Sequence, residues 1–172
     1  MDVLPVSAHG ERPVTERVWK IEESALVGAS AEDAYTAVSE LRNMGRWSPE
    51  CFAVWCRGQE VREGTRFVGF NRKGLLLWFT TCRVTRAERP HEFAFRVTTF
   101  GLPVALWGYR FEPEGAATRV TEYWEDLRTG RGARTAELLG RVFTGTRPAD
   151  RAEINRAGMR ATLDRLAAAL GG

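Results

Sequence analysis

From Phe52 to Leu127 the chain is cut by turn signals at short intervals, and none of the connections is long enough to carry a crossover. Asn71-Arg72-Lys73-Gly74, Arg89-Pro90-His91, Gly101-Leu102-Pro103 and Pro113-Glu114-Gly115 separate segments of alternating polarity. Parallel neighbours need connections of about a dozen residues or more. The segments 52–57, 65–72, 75–87, 92–100, 104–112 and 118–127 therefore predict an antiparallel meander.

Alternation also assigns faces, because successive side chains of a strand point to opposite sides. Trp107, Tyr109 and Phe111 share one face against Arg110 and Glu112, and Phe93, Phe95 and Val97 stand against Arg96. The same phase turns Trp78, Thr80 and Cys82 inward, and in the last strand Val120 and Trp124 point in while Arg119 and Tyr123 point out. It carries Glu122 inward as well.

A sheet with one apolar face must be covered, and the end of the chain supplies the cover. Met159, Leu163, Leu166 and Leu170 recur at helical spacing over a helix expected from Ala149 to Leu170, with Pro148 at its start and Thr146 as a cap. Around Ile154 its first half is lined by Ala157, Gly158 and Ala161, side chains too small to fill the space beneath them. The Leu half is expected to close the core and the small half to leave a hollow. The alternative is that Gly158 only permits close helix–sheet packing.

Before the meander, Arg17 to Val27 reads as a strand with Trp19, Ile21 and Ala25 on one face. Ser30, with Asp33 three residues on, caps a helix from Ala31 to Leu41. A broken segment, Arg42 to Arg46, leads to the exposed-looking run Trp47-Ser48-Pro49-Glu50. Between meander and final helix, Thr135 to Phe143 reads as a short helix or lid between Gly132 and Gly145.

Composition narrows the function. The 172 residues, 44% hydrophobic, suit one domain over 17–172 behind a disordered leader, 1–16. Basic residues gather from Arg128 to Arg160, but no groove-reading motif accompanies them, so no nucleic-acid partner is expected. Cys51, Cys56 and Cys82 match no metal or redox spacing, and with only His9 and His91 a zinc site or a Ser-His-Asp triad lacks material. Neither metal nor cofactor is expected. No apolar run reaches the roughly 20 residues of a membrane span, and the first residues lack a signal peptide's apolar segment, so the expected location is the cytoplasm.

The order of a strand, short helices, an antiparallel meander and a long C-terminal helix resembles the helix-grip fold of the START and polyketide-cyclase (SRPBCC) superfamily. The resemblance spans Val18 to Leu170 and is carried by the helix after the first strand, Trp47-Ser48-Pro49-Glu50, Gly64-Thr65-Arg66-Phe67, Pro90-His91-Glu92-Phe93-Ala94-Phe95, Gly115 through Glu122, and the closing helix. It is most similar to the bacterial polyketide cyclase/dehydrase-type subgroup. The resemblance implies an α+β fold, a curved antiparallel sheet wrapped around the C-terminal helix, with an apolar cavity that takes lipids, sterols, polyketides or other hydrophobic molecules. The best-studied aromatase/cyclases of this group imply a more polar pocket with Arg and Tyr at defined places, whereas Arg96 phases outward here.

The residues then suggest roles. Glu122, a carboxylate on an inward strand position, is a candidate general acid or base, and Tyr109 on the neighbouring strand a candidate donor to a carbonyl or enolate oxygen. Trp47 at the rim, with Phe67, Trp78, Thr80, Phe95, Trp107, Trp124, Ile154 and Gly158, is expected to surround the ligand, and Asn71 to add a polar contact. Three functions fit: a cyclase, aromatase or dehydratase of a polyketide-like substrate in secondary metabolism; a non-catalytic carrier or sensor of a lipid or aromatic molecule; and a protein-interaction module using the basic C-terminal face. The partner of the first two is a hydrophobic small molecule, and the chain is a monomer or homodimer in all three.

Overall fold

The computed structural model describes residues 18–58, 60–129 and 148–171, together with Thr135 and Leu138. Seven strands, β1 (Lys20–Val27), β2 (Cys51–Cys56), β3 (Arg66–Lys73), β4 (Leu76–Glu88), β5 (Glu92–Thr99), β6 (Leu102–Glu114) and β7 (Ala117–Asp126), form one antiparallel sheet. Its order is β1-β7-β6-β5-β4-β3-β2: the expected meander, with β1 returned against the last strand. The helices are α1 (Ala31–Ser39), a 3₁₀ turn (Leu41–Asn43), the single-turn α2 (Met44–Trp47) and the long α3 (Pro148–Leu170). This is the helix-grip arrangement. The leader and most of the expected lid at Thr135 to Phe143 lie outside the described residues.

Two departures from the sequence reading affect the site. The first helix stops at Ser39, because Glu40 leaves helical backbone at ψ 89°; the chain tightens into the 3₁₀ turn, which still buries Leu41. Its start is the expected cap, Ser30 Oγ accepting from the Asp33 amide at 3.1 Å. Second, the break expected at Gly101-Leu102-Pro103 is shorter than that stretch, since Leu102 and Pro103 already belong to β6. The turn is made by Phe100 and Gly101, both at positive φ, and β6 begins at once. A register shift beside Thr98, which pairs with Pro103, accommodates a residue that has no N–H to donate.

The core follows the inner faces. Val27, Leu41, Phe67, Phe93, Phe111, Val120, Leu163 and Leu166 belong to one buried cluster, while Ile21, Ala105, Trp124 and Met159 form a second nearer the start of α3. Trp19, expected beside Ile21, is instead exposed just ahead of β1. The space between the clusters is not filled.

Candidate functional site

The inner faces of β3 to β7 and the first half of α3 enclose a cavity of about 820 Å³. Trp78, Thr80, Phe95, Trp107, Trp124, Ile154 and Gly158 line it, as do Tyr109 and Glu122; Phe67 and Trp47 do not. Phe67 lies behind Phe95, edge-on with ring centroids 5.3 Å apart. Trp47 is only 8% exposed, turned inward by α2 with Nε1 donating to Ala37 O at 3.0 Å, so it forms no rim. Asn71 lines the cavity with its amide donating to Gly69 O at 3.2 Å and to Thr80 Oγ1 at 3.4 Å. A Cβ built on Gly158 would meet nothing closer than Pro49 Cγ, at 3.6 Å. Close packing therefore does not require glycine there, and the missing side chain leaves open volume.

The polar chemistry sits on adjacent strands. Tyr109 of β6 and Glu122 of β7 are directly opposite in the register, and the Tyr109 hydroxyl donates to Glu122 Oε1 at 2.8 Å. Glu122 is 3% exposed, and its second oxygen, Oε2, has no hydrogen-bond partner. Burial disfavours the charged form and pushes the Glu122 carboxyl up to about 8, the Tyr109 hydrogen bond offsetting only part of this. Burial and the neighbouring carboxylate likewise raise Tyr109 well above the ordinary phenol value. At neutral pH the pair is thus a phenol donating to a carboxylic acid, with one carboxyl oxygen left for a ligand.

Among the buried polar lining residues to which the sequence reading gives no site role are Asn155 and Arg128. Asn155 of α3 is 4% exposed and its amide nitrogen has no partner. Stepping back one turn from Met159 along the inward stripe leads to it, a signal the sequence does contain. Arg128 forks onto Asp126, Nε to Oδ1 at 2.9 Å and Nη2 to Oδ2 at 2.7 Å, and fixes a buried cation in the cavity wall. The other described arginines of the basic run are tied to acids distant in sequence: Arg151 to Glu50, and Arg156 and Arg160 to Glu23 of β1. They fasten α3 to β1 and to the segment just before β2.

The Cys51 and Cys82 thiols, also in the wall, are raised by burial to about 11 and about 12 and stay protonated. Among the described residues no cluster of His, Cys, Asp and Glu is arranged to hold a metal ion.

Residues 18–171 match the family described as polyketide cyclase/dehydrase and lipid transport. The chain belongs to that family. Solved structures share its fold: a Polyketide_cyc-like protein of Corynebacterium glutamicum, 28% identical with a TM-score of 0.52, covers 86% of this chain and 88% of its own. A Mycobacterium smegmatis protein, 18% identical with a TM-score of 0.59, covers 88% and 90%. The di-domain ARO/CYC BexL from the BE-7585A biosynthetic pathway, 20% identical with a TM-score of 0.60, matches 87% of this chain across 45% of its own length. No curated protein sequence matches the chain. The family description spans chemistry and transport, so the cavity itself has to argue between them.

Proposed function

We propose that the protein binds a flat hydrophobic molecule in this cavity and closes a ring in a polyketide-like chain, with Glu122 moving the proton. The observation that carries the reading is the carboxyl of Glu122, buried, held on one oxygen by Tyr109 and open on the other. A buried carboxyl raised to about 8 can both give and take a proton near neutral pH. In an intramolecular aldol closure the enol carbon attacks a ketone carbon and the C–C bond forms. The carbonyl π pair moves to oxygen, which takes the Glu122 proton; the carboxylate then accepts the enol O–H proton and is restored. Loss of water from the product uses the same group twice, once to protonate the leaving hydroxyl and once to accept the α-proton. The aromatic walls, Trp78, Trp107 and Trp124, supply faces on which a folded chain stacks, and such positioning is a large part of the rate in ring closures. Tyr109, its hydrogen spent on Glu122, acts in this scheme by orienting the carboxyl. BexL, named as an ARO/CYC, is consistent with this chemistry on the same fold.

A carrier reading has one observation of its own. With its hydrogen committed to Glu122, the Tyr109 phenol is not free to stabilise an oxyanion, and binding alone does not need it to be. The experiment that separates the readings is Glu122→Gln, assayed both for ligand binding by tryptophan quenching and for turnover of a poly-β-ketone chain. A catalyst loses turnover at least about a hundredfold with binding retained. Turnover unchanged in Glu122→Gln sinks the catalytic proposal.

A further inference from the structure

The rim of the cavity is apolar on its outer side. β3 and β4 are joined by Gly74 and Leu75, with Gly74 at φ 59° setting the tight turn, and Leu75 is 100% exposed at its tip. Behind it Leu76, Leu77 and Phe79 are also exposed. The β5–β6 turn ends at the same edge of the sheet and brings Phe100, 65% exposed, to 6.2 Å from the Phe79 ring. Phe100 stands at φ 50°, left-handed backbone that a residue with a bulky side chain adopts at a cost of about 1 kcal/mol and that Gly or Asn occupies readily. Neither turn is built for water. Arg72 and Lys73 lie directly opposite Leu77 and Leu76 in the register, so cations flank the apolar tip. The cavity opens here, since Arg72, Lys73, Leu77, Phe79 and Phe100 line its mouth.

We propose that these two turns dock the protein on an anionic lipid surface, with Leu75 and Phe100 entering the acyl boundary and Arg72 and Lys73 at the headgroups. The shape of the tip argues for a soft partner. A protruding, fully exposed leucine fits a bilayer without a complementary pocket, and the apolar tip flanked by cations is the charge arrangement that anionic headgroups complement. Docking here needs no span, and no helix among the described residues is long and apolar enough for one. It places the mouth of an apolar cavity against hydrocarbon, so a hydrophobic ligand passes between them without crossing water. The inference stands independently of what Glu122 does.

The test is co-sedimentation with vesicles of phosphatidylcholine alone and of phosphatidylcholine part-replaced by phosphatidylglycerol, at low and high salt, for the wild-type chain and Leu75→Asp. Leu75 touches solvent only, so the variant keeps its melting temperature and its cavity quenching. The expected result is binding to the anionic vesicles that weakens with salt and falls about tenfold or more in Leu75→Asp. Wild-type protein that stays in the supernatant with both vesicles overturns the proposal, as does binding that Leu75→Asp leaves unchanged. A wild-type dimer by light scattering that Leu75→Asp converts to a monomer, without vesicle binding, assigns the face to a second copy and overturns it too.

Discussion

Replacing Glu122 by Gln isolates what it costs to hold a carboxyl in this cavity. The unfolded chain releases the Glu122 proton near 4.5 and the folded chain keeps it to about 8. Between those values the native state binds more protons than the unfolded state, so the free energy of unfolding falls as pH rises, by up to about 1.4 kcal/mol per pH unit. Stability is whole below the lower value and lost through the upper one. The separation of about 3.5 between them gives an upper bound of about 5 kcal/mol. Gln copies the protonated acid: its carbonyl still accepts from Tyr109 and its amide takes the place of the second oxygen, but it does not ionise.

Urea unfolding followed by tryptophan fluorescence, from about pH 5 to about pH 9, reads the difference directly. Near pH 5 the two proteins are expected to agree within about 1 kcal/mol, and near pH 9 the variant is expected to be the more stable by several kcal/mol. Glu23, whose carboxyl is lowered by its hydrogen bond to Arg160, has the opposite sign and lies below this window. It is common to both proteins and cancels. Parallel pH profiles would refute the reasoning, since they mean that Glu122 titrates like a solvated carboxyl and that the cavity around it is wet.

Two further substitutions test the walls. Gly158→Phe is expected to abolish ligand quenching while Gly158→Ala preserves it, because a Cβ there makes only an ordinary 3.6 Å contact with Pro49 and a benzyl group occupies the cavity. On the outer face a Cβ at Gly108 would lie 2.2 Å from Cζ of Tyr123, whose ring covers that glycine and whose hydroxyl donates to Glu92 at 2.6 Å. Gly108→Ala should therefore cost about 2 kcal/mol or more in urea unfolding, and the added cost should largely vanish in a Tyr123→Ala background.

The meander was legible because its turns carry Gly or Pro, although Asn71, Arg72 and Lys73 of the first expected turn belong to β3, and the closing helix because its Leu stripe is long. The Tyr109–Glu122 pairing was legible in principle too. Glu114 pairs with Ala117 across a two-residue tip, and counting back from there brings the two site residues opposite one another. Trp47 misled because a single-turn helix leaves no periodicity to detect, and a tryptophan next to Ser-Pro resembles a loop residue until α2 turns it inward. The partners of Arg151, Arg156 and Arg160 were not legible because Glu23 and Glu50 lie about a hundred residues or more earlier in the chain. Leu75 read as a strand residue, and only the position of the Gly74 turn makes it a tip.

Three positions break local rules: two of them, Glu122 and Phe100, line the same cavity, and the third, Leu75, stands in solvent beside its edge. A core built only for stability would place an apolar side chain at 122, since an unpaired buried oxygen costs about 1–3 kcal/mol. A turn built only for closure would carry Gly or Asn at position 100, and a hairpin tip facing water would carry a polar residue at 75. Instead Glu122 stands in the cavity wall, while Phe100 and Leu75 hold the rim and the tip beside it. Sequences depart from their own folding rules mostly where something other than folding is served. The coincidence of these departures at one cavity and its mouth is what ties the chemistry proposed inside it to the lipid surface proposed at its edge.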